Sequence, residues 1–317
     1  MTKITEYLAA AKGKTLFSIE IIPPMKGQHL GELVSHIEPL MEFNPPFIEV
    51  TYHREEYIEK MVDGILKRIP IRKRPGTLGI CAAIMQKFKV EAVPHVICGG
   101  FTKEETEDFL IDLHYLGIEN ALVLRGDQEK GEERFIPKPG GHAYANELVA
   151  QVHAMNQGIL LHEETESLPT NFCIGVAAYP EKHFEAVSLE EDMRYLKQKV
   201  DAGADYIVTQ MFFNNQHFFD FVDKCRAMDI HVPIIPGLKP LATARQLEIL
   251  PEIFHLEMPE ALASEAKKCT NNAAIKQLGI EWAVQQGKEL MQAGVPALHF
   301  YTMSKSDSVH AIASQLF

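Results

Sequence analysis

The chain has 317 residues, 46% of them hydrophobic and 23% charged, with a formal net charge of −12. That composition is globular and suits one large domain or two small ones, and the acidic balance argues against nucleic acid as the main partner, because phosphate binding needs a basic surface. No apolar run approaches the roughly 18–20 residues that span a bilayer, the opening MTKITEYLAAAKGK lacks a signal-peptide core, and the five widely spaced cysteines (Cys81, Cys98, Cys173, Cys225, Cys269) form no CxxC, so a cytoplasmic protein with reduced, packed cysteines and no metal site is expected.

The predicted elements alternate along the chain. LFSIEII (16–22) reads as a strand, followed by a helical pattern through Leu30, Leu33, Val34, Ile37, Leu40 and Met41. FIEVTY (47–52) is the second strand. The connection 53–89 carries KRIPIRKRPG, and its basic part, 67–74, is expected to be a solvated loop. EAVPHVIC (91–98) follows, then a capping box, Thr102 with Glu105, opening a helix through Phe109, Leu110, Leu113 and Leu116. NALVLRG (120–126) leads into a connection, 127–148, expected to be a mobile loop. FCIGVAAY (172–179) precedes a helix through Met193, Leu196 and Val200 that ends near Gly203. YIVTQMFF (206–213) precedes another through Phe218, Phe221, Val222, Cys225 and Met228. VPIIPGL (232–238) and ALHFYT (297–302) flank an Ala/Glu-rich stretch, 239–296, expected to hold two or more helices.

Eight near-continuously apolar, β-branched strands alternating with helices predict a parallel sheet buried on both faces. The order and length point to a single (β/α)8 TIM barrel over residues 1–317. A doubly wound open sheet is the rival, since strand count alone does not close a barrel. No GxGxxG follows the first strand, and GKT at 13–15 lacks the upstream glycine of a phosphate-binding loop.

Barrel sites lie at the C-terminal ends of the strands. Polar residues gather there on seven of the eight: Glu20; Thr51, Tyr52 and His53; His95; Arg125 and Asp127; Tyr179 and His183; Thr209 and Gln210; His299 and Tyr301. Several have a plainer reading. Glu20 could pair with an inward Lys or Arg, His95 could be a satisfied core histidine, Arg125 and Asp127 could pair with each other, and backbone groups could satisfy Gln210. No HExxH, GxSxG or Cys/His arrangement is present. The set suits binding a planar heterocycle and moving protons or hydride more than covalent hydrolysis.

Eight stretches in order, FSIEIIPP, VTYH, PHVIC, LVLRGD, VAAYPEKH, LKQKVDAGADYIVTQMFF, IIPGLKP and LHFYT, resemble the methylenetetrahydrofolate reductase family over nearly the whole chain. The resemblance implies a barrel holding FAD non-covalently. NADH or NADPH reduces the flavin and leaves, and methylenetetrahydrofolate then takes the hydride, in a ping-pong sequence that supplies methyl groups for methionine synthesis. The family's general acid falls on Glu20, whose proton would assist opening of the folate's five-membered ring. Its flavin contacts fall on Thr51, Tyr52, His95, Arg125, Gly126, Asp127, Tyr144, Ala145, Tyr179, His183, Glu185, Ala186, Asp192 and Lys199. Asp127 also meets the pterin with Glu20, Gln210, Tyr301 and Lys305.

Some positions depart from the family. Met303, Ser304 and Lys305 stand where Leu-Asn-Arg is common, which exchanges a bidentate fork for a point charge. Ala244 falls where bacterial members carry a substrate-stacking phenylalanine. The chain stops soon after HFYT, so no regulatory domain and no inhibition by adenosylmethionine are expected, and a homo-oligomer is. The alternatives are a flavin barrel reductase of another pterin or imine, and a flavin-free folate-binding methyltransferase subunit.

Overall fold

The structure is a computed structural model that describes residues 2–129, 131–132, 134–162, 167–303 and 305–317. Strands β1 (Leu16–Ile21), β2 (Phe47–Val50), β5 (Glu91–Ile97), β6 (Asn120–Leu124), β7 (Cys173–Ala178) and β8 (Tyr206–Thr209) pair in parallel in that order. The next strand is split. β9 (Ile234–Ile235) pairs with β8, and β10 (Gly237–Leu238) pairs with β11 (Ala297–Tyr301), which returns to β1. Pro236 lies between the halves, and proline has no N–H to give a ladder. Its carbonyl still accepts from the His299 amide at 3.1 Å. Eight barrel positions are thus filled, and the split strand joins the two ends of the sheet. The barrel, and not the open sheet, is the fold. Two further strands, β3 (Glu56–Val62) and β4 (Ile65–Ile71), stand outside it.

The barrel strands bury both faces, as their composition requires. Outward residues such as Phe17, Ile19, Ile48, Val123, Ile174 and Ile207 join the main core beneath the surrounding helices. Among these are α2 (Leu30–Ile37), α3 (Thr77–Phe88), α4 (Lys103–Tyr115), α5 (Ala145–Met155), α6 (Leu189–Asp201) and α7 (Asn215–Ala227). The capping box at Thr102 forms as expected, with Glu105 N–H donating to the Thr102 hydroxyl at 3.2 Å and Thr102 N–H to the Glu105 carboxylate at 2.7 Å. Residues 239–296 hold three helices, α8 (Gln246–Phe254), α9 (Glu260–Lys268) and α10 (Asn272–Gln292), and α11 (Asp307–Leu316) closes the chain. Among the described residues no helix is long and apolar enough to cross a membrane.

The barrel interior divides in two. Its N-terminal end is apolar: Phe47, Val93, Leu122, Cys173, Tyr206, Val208, Ile235 and Ala297 pack around Ile4. Ile4 belongs to α1 (Ile4–Ala10), a helix that the sequence pattern did not reveal. Its amide donates to the Asn120 side chain at 2.9 Å, which plugs this end. The C-terminal end is polar.

The basic segment 67–74 corrects an expectation. Most of it is strand β4, paired antiparallel with β3 around Asp63 and Gly64. Both turn residues have positive φ, 52° and 77°, which is the type I′ hairpin geometry. The Asp-Gly pair in VDGI was the legible signal. The predicted loop 127–148 gives way to α5 at Ala145, and residues 130 and 133 within it lie outside the described part.

Candidate active site

Strand alternation sends every second side chain into the barrel. On β1 these are Ser18 and Glu20, on β2 Glu49, on β5 His95, on β11 His299 and Tyr301. Parallel registry puts Glu20 level with Glu49 on one side and Tyr301 on the other. A buried polar cluster results. His95 Nε2 is 3.6 Å from Glu20 and 3.5 Å from Glu49, His299 Nε2 is 3.3 Å from Glu49, and the Ser18 hydroxyl is 2.9 Å from His299 Nδ1. Glu49 and His299 are wholly buried.

The two carboxyls behave oppositely. Burial pushes both up. For Glu49 the charges of His299 and His95 win, and it is held at about 2. For Glu20 burial wins over His95 and His299, helped by the Glu49 charge, so it stays above the usual range. Burial opposes protonation of His95, but the Glu49 and Glu20 carboxylates outweigh it and raise its pKa. The cluster therefore sets an acid of raised pKa beside a carboxylate of lowered pKa. Glu49 was the partner the sequence reading missed. It sits in the middle of FIEVTY, and the only signal was a carboxylate on the inward parity of an otherwise apolar strand.

Above the cluster opens a cavity of about 1410 Å³. Every residue that the family resemblance implies for the site lines it except Lys305, which is exposed beyond β11, while Thr209 and His299, also read as strand-end polar residues, are buried beneath it. Ala244 is exposed at the start of α8, and Phe254, at the other end of that helix, lines the cavity. The hairpin β3–β4 forms one wall through Tyr57, Glu59 and Arg68. None of these was predicted, because only the fold brings the hairpin over the mouth.

One side of the cavity gathers two cations, Lys199 and Arg125, with three carboxylates, Asp127, Glu185 and Asp192. Lys199, on α6, donates to the Ala177 carbonyl at 2.5 Å, and burial pushes its pKa down to about 8 against the pull of Asp192. Arg125 pairs with Glu185, not with Asp127, and stacks on Phe135 at 5.0 Å. The first turn of α5 adds Ala145 and Asn146 to the lining, and a helix start presents unsatisfied amides and a positive dipole end. Gly126 takes φ +84° just past β6, a turn that a side chain would strain. Asp192 accepts from the His183 amide at 2.8 Å, and the Tyr179 and His183 rings meet edge to face at 4.6 Å.

The ends of β8, the neighbour of β7, and of β11 carry neutral groups. Gln210 accepts from the Met211 amide at 2.9 Å through its side-chain oxygen. A backbone group thus meets half of its hydrogen-bonding need, and the amide NH2 makes no hydrogen bond among the described residues. Tyr301 donates from its hydroxyl to the Thr209 carbonyl at 2.6 Å.

The fold and site define a class: a parallel (β/α)8 barrel with a largely buried acidic cluster under a wide mouth cavity. The methylenetetrahydrofolate reductase family model matches residues 3–317, and the chain belongs to that family. The 5,10-methylenetetrahydrofolate reductase of Escherichia coli is 31% identical over 314 residues, covering 99% of this chain and 94% of that protein. The probable methylenetetrahydrofolate reductase (NADH) of Oryza sativa is 30% identical over 97% of the chain, but the chain spans about half, 49%, of that relative's length. Among solved structures, an uncharacterized Clostridium thermocellum protein, described as binding two copies of 5-methyl-5,6,7,8-tetrahydrofolic acid, aligns with TM-score 0.56 over 98% of this chain and 97% of its own, at 14% identity. That similarity supports the fold alone.

Proposed function

We propose that the protein reduces 5,10-methylenetetrahydrofolate to 5-methyltetrahydrofolate, with FAD bound in the cavity and NADH or NADPH as donor. The observation that carries the reading is Glu20, a carboxyl at the floor of the cavity whose pKa burial raises above the usual carboxylate range. Reductive opening of the folate ring needs a proton on the departing nitrogen, and a neutral carboxylic acid is the group that can give one near pH 7.

The cavity fits a flavin dinucleotide. At about 1410 Å³ it exceeds the roughly 300–1,000 Å³ of ordinary ligand sites, which leaves space for a second ligand beside the first. Lys199, Arg125 and the first turn of α5 would hold the diphosphate. A bound phosphate would also raise the pKa of Lys199, which burial lowers to about 8. When bound, FAD supplies hydride storage between the donor and the folate.

The remaining work belongs to side chains. Glu20 gives its proton to the departing ring nitrogen and is left as a carboxylate facing His95. The Glu49 charge helps to raise the pKa of His95, which favours its cationic form beside that carboxylate. The free amide NH2 of Gln210 offers a donor to the pterin or the nicotinamide carboxamide in turn. Asp127 makes no ion pair among the described residues and is open to a pterin N–H. A cytoplasmic homo-oligomer is the accompanying proposal.

The test is a two-step anaerobic spectrum. NADH or NADPH should bleach a bound flavin, and methylenetetrahydrofolate should restore the colour. The faster donor names the physiological one. A flavin that bleaches and is not reoxidised by the folate would turn the reading to another imine substrate.

A further inference from the structure

One buried cation has no part in the scheme above. Lys239 follows β10 and is 9% exposed, and its ammonium makes no hydrogen bond among the described residues. Its direction follows from registry. Gly237 pairs with His299 and Leu238 with Phe300, so Lys239 stands level with Tyr301, and Tyr301 pairs with Glu20. Leu238 points outward into the main core. Gly237 faces inward, where a Cβ would fall 2.6 Å from the Tyr301 ring. Alternation therefore turns Lys239 to the inner face, one step further toward the mouth.

The backbone there is held firmly. Pro240 restricts Lys239 to an extended conformation. Gly279 of α10 lies against the next residue, so close that a Cβ on it would fall 2.2 Å from the Leu241 carbonyl oxygen.

Five groups bear electrostatically on Glu20: His95 from β5, at 3.6 Å, Glu49 from β2, His299 and Tyr301 from β11, and Lys239 after β10. Both histidines are shared with Glu49, at 3.5 and 3.3 Å. Lys239 is not shared. Glu20 is the charge that supports it against burial, which brings its pKa down to about 8.

We propose that Lys239 is a positioning residue for Glu20, its ammonium stabilising the carboxylate that remains once Glu20 has given its proton away. In that step the carboxyl O–H bond breaks, an N–H bond forms on the departing nitrogen, and the negative charge left on Glu20 is met by Lys239. No electrons are exchanged with either residue. The nature of the proton acceptor rests on the reductase reading, while the pairing of Lys239 with Glu20 does not.

The pairing can be read directly by isotope-edited infrared titration of 13C-glutamate-labelled protein, with Glu20→Gln identifying the Glu20 carboxyl band. Without the cation the neutral acid should persist to higher pH. Lys239→Met should move the midpoint upward by about one pH unit, and Lys239→Arg should restore it. Lys239→Gln serves as the second variant if Lys239→Met does not fold. In the folate-dependent half-reaction, loss of Lys239 should slow turnover about tenfold near neutral pH with KM unchanged. An unmoved Glu20 midpoint would overturn the proposal, and so would a raised KM with the midpoint in place, which would make Lys239 a substrate ligand. If the wild-type protein bleaches and fails to recover with methylenetetrahydrofolate, the reductase reading falls and the infrared shift still decides Lys239.

Discussion

Glu20 and Glu49 are the same side chain, one strand apart, with pKa values shifted in opposite directions. The difference is the company each keeps. Glu49 has two imidazoles within 3.5 Å, whereas Glu20 has one at 3.6 Å and a like charge beyond it. Glu20→Gln keeps the shape and removes the proton, so it should leave flavin reduction by nicotinamide nearly unchanged. Folate-dependent reoxidation should slow by about 10²–10⁴, as stopped-flow absorbance would show. Glu49→Gln should act on stability. Breaking a buried ion pair costs about 3–5 kcal/mol. Because the folded pKa of His95 is raised, its contribution is full below about 6.5, its unfolded value, and is lost as pH rises through the folded value. Glu49 is lowered, so its contribution is full above about 4.5 and is lost as pH falls toward 2. Urea midpoints at pH 5.5 and pH 9 should therefore differ in the wild type and converge in Glu49→Gln. Equal pH dependence in the two proteins would remove His95 from this account.

At the scale of elements, the hairpin is the part added to a plain barrel. Its strands are almost wholly exposed, and an isolated two-stranded hairpin is at best marginally stable. It is tied at its base, where Arg74 donates to the Pro23 carbonyl and the Lys26 amide to the Lys73 carbonyl, and at its side, where Arg68 meets Glu129 at 3.0 Å. Glu56 and Ile71 are paired across the base, so residues 56–71 can be replaced by a short Gly/Ser turn. That excision should leave the thermal midpoint within a few degrees, because little apolar surface is buried there. It should loosen flavin retention severalfold on a desalting column, because a cavity wall is gone. The hairpin was legible in the Asp-Gly turn, but its position over the mouth was not. Phe254 was hidden in the same way. No spacing in the sequence says that the far end of α8, and not the position of Ala244, returns to the cavity.

For the whole molecule, closure of the barrel separates an apolar floor from a polar mouth. Ile4 seals the floor, and Ile4→Ala should cost about 2–5 kcal/mol of unfolding free energy in urea. The redox reactions at the other end should be unchanged at temperatures where the variant stays folded. The pattern of apolar runs and helical periods determined eight strands and their order, because a strand buried on both faces must be apolar throughout. It also determined which strand ends carry Glu20, Asp127 and Gln210, because those residues are chemically conspicuous in such runs. The residues named through motif resemblance line the cavity with the exception of Lys305, whereas the hairpin residues and Phe254 carried no such signal. The tertiary structure alone decided that the sheet closes through a strand split at Pro236, that α1 plugs its floor, and that Glu49, His299 and Lys239 converge on Glu20. Those relations depend on the stagger between strands far apart in sequence. Burial and neighbouring charge, which set the state of each acid, exist only once that stagger is made.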